Sequence, residues 1–228
     1  MTCNLSTVSP VAIVLDPTSN STIKFVRGYR RAFGKALYIL NAVDGNNHSR
    51  LLESLIDTGL KFHDLSKLGR RWGMLGNWMS HFFALQHQIE HKLPFQLTLE
   101  EDLWLRPSLP KLIESACEQF RRSPPPTIVQ LSRYSELLLT SLDGARVLHD
   151  AMRRAGVRKS IDQQMLDPSI MGSITGRPHT VLKWGSAHEN GASRKTRPWV
   201  LGRAANSAEG NIYRTRRFTW TEMAMLRE

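Results

Sequence analysis

Two periods of apolar residues succeed one another along the first two thirds of the chain. The segment "PVAIVLDP" (residues 10–17) is a short apolar run closed by Asp-Pro, which predicts a buried strand running into a loop. "TIKFVRGYRRAFGK" (22–35) carries apolar positions on a basic background and predicts a helix ending near Gly34. "KALYILNAVDGNN" (35–47) is a second strand-type run, stopping at the turn signal Asp44-Gly45-Asn46. Strand, helix, strand is the start of an α/β sheet.

The pattern then turns helical in "SRLLESLIDTGL" (49–60), with Gly59 as its stop, and again in "GMLGNWMSHFFALQHQIEHKL" (73–93). There Trp78, Phe82, Leu85 and Ile89 share one helix face. A strand follows in "FQLTL" (95–99), and "LPKLIESACEQFRR" (109–122) predicts a helix with Pro110 in its first turn, closed by the breaker "SPPPT" (123–127). "TIVQLS" (127–132) reads as a strand, and "SELLLTSLDGARVLHDAMRRAG" (135–156) as a strand passing into a helix that stops at Gly156. "RKSIDQQMLD" (158–167) is a short strand or turn leading into a helix. After Pro168 the chain becomes rich in Gly, Ser, Arg and Asn with little sustained period, so residues 1–168 form the α/β domain and 169–228 a loop-dominated basic region that completes or extends it.

Length and charge narrow the picture. At 228 residues and 41% hydrophobic, the chain is long enough for a real core. The formal charge of +11 draws anions such as nucleotides, lipid headgroups or nucleic acid, and residues 169–228 hold ten Lys or Arg against four Asp or Glu. Cys3 and Cys117 lack the spacing of a zinc site and are too few for a disulfide framework, which predicts a reducing, cytoplasmic compartment. The first residues show no basic segment and only a short apolar stretch, so neither a signal peptide nor a membrane span is expected.

The chemistry concentrates in "LPFQLTLEEDLWLRP" (93–107), where an apolar strand ends in Glu100, Glu101 and Asp102. Adjacent carboxylates repel unless a cation or a helix N-terminus compensates them. In open α/β sheets ligands bind beyond the carboxyl ends of strands. Strand alternation would set Glu100 and Asp102 on one side and Glu101 on the other. Two oxygen ligands with phosphate oxygens suit Mg²⁺ or Mn²⁺. The competing reading is that the three acids simply open a helix, where the macrodipole favours them.

Five motifs occur in order: "NAVDG" (41–45), "GMLGNWMSHFFALQ" (73–86), "LTLEEDLWL" (97–105), "SELLLTSLDGARVL" (135–148) and "IDQQML" (161–166). The series resembles glycosyltransferase family 25, the group of lipopolysaccharide-modifying and collagen-type β-galactosyltransferases, over roughly residues 10–167, about 70% of the chain. The resemblance implies a GT-A-like nucleotide-diphospho-sugar transferase fold, an open mixed sheet flanked by helices. It implies transfer of a sugar, most often galactose, from a UDP-sugar to a hydroxyl of a glycan, lipid-linked or protein acceptor, with inversion.

On the matching positions, the resemblance places Asp102 and Glu100 as ligands of Mn²⁺ or Mg²⁺, with Glu100 also in the catalytic step and Glu101 standing where the family has Asp. Asp44, Gly45, Gly76, Ser80 and His81 fall on its donor-binding motifs. Asp162 becomes the general base that takes the acceptor proton, the alternative being an N-cap for a helix starting at Gln163. A C-terminal His, His188 or His179, is a third metal ligand by the same analogy. Arg194, Lys195 and Arg197 would meet a diphosphate, an anionic acceptor or a membrane surface, or form a solvated face. Two other readings stay open: a basic nucleic-acid-binding module, suggested by "NIYRTRRFTW" (211–220), and a transferase fold that binds without catalysing. The absence of a recognisable reading motif weighs against nucleic acid.

Overall fold

Six strands form one mixed sheet in a computed structural model that describes residues 2–60, 72–103, 105, 109–121, 128–132, 135–165 and 181–183. The strands are β1 (Val8–Val14), β2 (Tyr38–Asn41), β3 (Phe95–Glu100), β4 (Ile128–Gln130), β5 (Leu137–Ser141) and β6 (Val181–Lys183), in the spatial order β2-β1-β3-β5-β4-β6. β1 runs parallel to both β2 and β3, β5 runs antiparallel to β3 and β4, and β6 is parallel to β4. The helices are α1 (Asn20–Phe33), α2 (His48–Thr58), α3 (Trp72–Glu90), α4 (Leu109–Gln119), α5 (Leu142–Ala155) and α6 (Ile161–Met165). The protein is therefore α/β, and the strands and helices expected through Met165 are present. The breaker at 123–127 lies outside the described residues. β6, drawn from the region read as loop-dominated, adds an edge to the same sheet.

Local chemistry explains the helix limits. Ser19 caps α1 by accepting the Thr22 N–H, and Ser141 caps α5 by accepting the Gly144 N–H. Gly34 and Gly59 end α1 and α2 with φ of 64° and 61°, a left-handed conformation that a side chain disfavours.

Strand alternation sends each face to its own core. Ala12 and Val14, Leu97 and Leu99, and Leu137 and Leu139 pack on one side against Phe25 and Tyr29 of α1 and Ile113 and Ala116 of α4. On the other side, Ile128 and Leu138 join a cluster built from Leu51 and Leu55 of α2, Trp78 and Phe82 of α3, and Leu148 and Met152 of α5. β3 shows the switch most clearly, with Gln96 and Thr98 buried on the α3 side. Gln96 donates to the Ala84 carbonyl at 2.9 Å, so a polar residue inside the sheet is satisfied.

Buried Gln164 ties α6 into this second core. Its Oε1 accepts the Trp78 indole N–H at 3.2 Å and the Arg158 N–H at 3.0 Å, while its Nε2 donates to the Gly156 carbonyl at 2.8 Å. Because α6 begins at Ile161, Asp162 lies within the helix and does not cap one starting at Gln163.

Cys3 and Cys117, read from the sequence as thiols of a reducing compartment, are instead joined by a disulfide that links the N-terminal segment to α4. The correction follows from tertiary packing, since 114 positions separate the two residues. Among the described residues no helix is long and apolar enough to cross a membrane.

His149 of α5 stacks on Phe82 with ring centroids 4.3 Å apart, and its buried Nε2 has no hydrogen-bond partner among the described residues. Burial first, and the Arg153 charge second, hold it below the ordinary histidine value of 6.5. The folded state keeps this ring neutral while the unfolded chain takes up a proton near 6.5, so its contribution to stability is complete above that pH and declines below it. Replacing His149 with Leu is expected to shrink the fall in Tm between pH 7.5 and pH 5.5, measured by thermal unfolding of both chains (about 2–4 °C per kcal/mol at this chain length).

Candidate functional site

The strand order reverses at β1: the chain leaves β1 through α1 to β2 on one side, then returns through α2 and α3 to β3 on the other. Such a switch point opens a crevice at the carboxyl ends of the strands. A cavity of about 320 Å³ lies there, within the range of small-molecule sites. Ile13, Leu15, Ala42 and Val43 give it an apolar wall, while Asp44, Asn77 and the three acids at 100–102 give it a polar one.

A backbone contact sets the crevice's shape. The turn after β2 packs directly on the first turns of α3. A Cβ on Gly45 would lie 2.2 Å from the Trp72 carbonyl oxygen, and one on Gly76 would lie 2.3 Å from the Val43 carbonyl oxygen. Both positions admit only glycine without rearrangement. Ser80 completes the joint, accepting the Val43 N–H at 2.8 Å and donating to the Gly76 carbonyl at 2.7 Å. The expected donor-binding motifs thus hold one another first. Asp44, Gly45 and Ser80 line the cavity, Ser80 while almost wholly buried; Gly76 and His81 stand behind it. Asp44 Oδ1 accepts the Asn46 N–H at 2.8 Å, which shapes the turn.

The acidic cluster departs from simple alternation because β3 ends at Glu100, and Glu101 and Asp102 belong to the following turn. Glu100 turns toward α3. Its Oε1 receives the buried His81 Nε2 at 2.9 Å, Ser135 Oγ at 3.3 Å and Asn77 Nδ2 at 3.4 Å. Glu101 turns toward the β1–α1 connection, where its carboxylate accepts the Leu15 N–H at 3.0 Å and the Thr22 hydroxyl. Asp102 borders the cavity with them. Glu100 and Glu101 are thus each met by donors of the protein itself, drawn from different elements.

Among the described residues no group of three His, Cys, Asp or Glu side chains is gathered to hold a metal ion. His188 and His179 lie outside the described residues, as do Arg194, Lys195 and Arg197 and the side chain of Asp162. The expected general base and third metal ligand are thus not placed in the site.

Sequence reasoning missed four residues that build it: Asn77, Ser135, Leu15 and Thr22. Asn77 carried a signal, since it stands four positions before His81 and so shares its helix face. Thr22, Leu15 and Ser135 reach the acids only through the tertiary fold, across separations of 79, 86 and 35 positions.

No protein-family model matches the chain, and no curated protein sequence matches it.

The glycine joint has a direct test. Gly76→Ala is expected to destabilise the fold by roughly 1–3 kcal/mol through overpacking against Val43. Gly28→Ala, where a Cβ meets nothing within 4 Å, is expected to be neutral or stabilising. Chemical denaturation midpoints of the two variants check both.

Proposed function

We propose that the chain is a glycosyltransferase that takes a sugar from a UDP-sugar and delivers it to an acceptor hydroxyl, with inversion. One observation carries the reading: a cavity at the switch point of an α/β sheet, apolar at one wall and acidic at the other, where β1, β2 and β3 end. The order of motifs that resembles glycosyltransferase family 25 supports it, and Asp44, Ser80, Glu100 and Asp102 of those motifs line this crevice, with His81 bonded to Glu100. A GT-A-like arrangement of the sheet belongs to the same proposal.

Of the expected metal ligands, Glu100 has its Oε1 engaged by His81, Asn77 and Ser135, so we assign a hard divalent cation, Mn²⁺ or Mg²⁺, to Asp102 with Asp44 on the same cavity; such a cation ordinarily takes one or two carboxylates and fills its shell from phosphate oxygens and water. When bound there, such a cation supplies charge neutralisation for the departing diphosphate. The chain's own residues do the rest. Ile13, Leu15, Ala42 and Val43 offer an apolar surface for the base. Glu100, clamped by His81, Asn77 and Ser135, fixes the acidic wall and faces the reacting region as a polar anchor. In this reading Asp162 accepts the proton of the attacking hydroxyl.

A binding-only reading has one observation in its favour: Glu101, at the position where the resembled family has Asp, is engaged with Leu15 and Thr22. Calorimetric titration of UDP with and without Mn²⁺, paired with a screen of UDP-sugars for hydrolysis and transfer, separates the two. The expected outcome is Mn²⁺-dependent UDP binding together with turnover, and a loss of at least about a hundredfold in turnover for Asp102→Asn with unchanged circular dichroism. Binding without turnover selects the binding-only reading. Unchanged turnover in Asp102→Asn overturns the metal role.

A further inference from the structure

The outer face of α1 carries charge of one sign only. Lys24, Arg27, Arg30 and Arg31 are all exposed, and no acidic residue occurs between Asp16 and Asp44 in the sequence. None of the four forms an ion pair among the described residues. Their buried counterparts, Thr22, Phe25 and Tyr29, occupy the opposite face against the sheet. Ile23, 36% exposed, lies among the cations on the outside.

Helix stability does not account for this pattern. Arg30 and Arg31 sit in the last turn, where the macrodipole favours a cation, but Lys24 and Arg27 do not. Lys24 and Arg27, Arg27 and Arg30, and Arg27 and Arg31 are three or four positions apart, spacings at which like charges on a helix repel. An external anionic surface relieves that repulsion.

We infer that α1 docks the protein on a bilayer bearing anionic lipid headgroups. A single-stranded nucleic acid fits the face less well, because stacking needs exposed aromatic rings, and Phe25 and Tyr29 are buried while Phe33 packs against the same core. Cations around an exposed aliphatic side chain match a headgroup layer over shallow acyl carbon. The inference moves membrane contact from the tail cations Arg194, Lys195 and Arg197 to α1, and it stands independently of the transferase reading.

Co-sedimentation of the full chain with phosphatidylcholine vesicles containing about a third phosphatidylglycerol tests it. Binding is expected to require the anionic lipid and to fall steeply as salt rises to about 0.5 M. Each basic residue held at such a surface strengthens binding about fivefold, so replacing Lys24, Arg27, Arg30 and Arg31 together by Gln is expected to weaken it by about six hundredfold. A second variant replaces Arg194, Lys195, Arg197 and Arg203 by Gln and so carries the same net charge; it is expected to keep most of the binding. Equal losses in the two variants overturn the inference in favour of net charge alone. So does salt-insensitive binding of the unaltered chain, or an α1 variant that loses single-stranded oligonucleotide binding while keeping the vesicles.

Discussion

The close approach of the Val43–Gly45 backbone to the first turns of α3 is the constraint on which the crevice depends. Two backbones meet there at a separation that leaves no room for a Cβ on Gly45 or Gly76. With that joint closed, Ser80 bridges turn and helix, and α3 takes the direction that carries Asn77 and His81 to Glu100 on β3. The same direction lays Trp78 and Phe82 into the core with α5. Site and core are thus set by one contact.

Three consecutive acids persist beside the cavity because the chain divides them. The strand ends at Glu100, so the following residues leave the pleat and no longer alternate. Glu100 is met by donors from α3 and from the segment before β5, and Glu101 by donors from the β1–α1 connection. The two carboxylates therefore accept from separate sets of donors. Glu101 also serves as a brace: it holds the loop that carries Leu15, part of the apolar wall, against the end of β3.

A protein held to anionic lipid by α1 would keep the cavity near the bilayer, because the loop leading into α1 is the one that Glu101 ties to the acidic cluster. The cationic face and the crevice are then neighbours through a single short connection. α1 also forms part of the core, through Phe25 and Tyr29, so its orientation is fixed by packing as well as by that connection.

The sequence by itself determined the order and type of elements through Met165, though not β6, because periodicity, caps and turn residues are local. Gly34, Gly59 and Gly156 ended helices where expected, and the run at 95–99 marked the strand β3, whose burial on both faces only the structure shows. The run of acids pointed to Glu100 and Asp102, and the resemblance of the motif order to glycosyltransferase family 25 pointed to Asp44, Ser80 and His81. Only the tertiary structure decided what these residues touch. That Gly45 and Gly76 serve each other's backbones, that Glu101 faces Thr22, and that Cys3 meets Cys117 depend on contacts across tens of residues. Local preference carries no information about such separations, because packing of the two faces of the sheet brings the partners together.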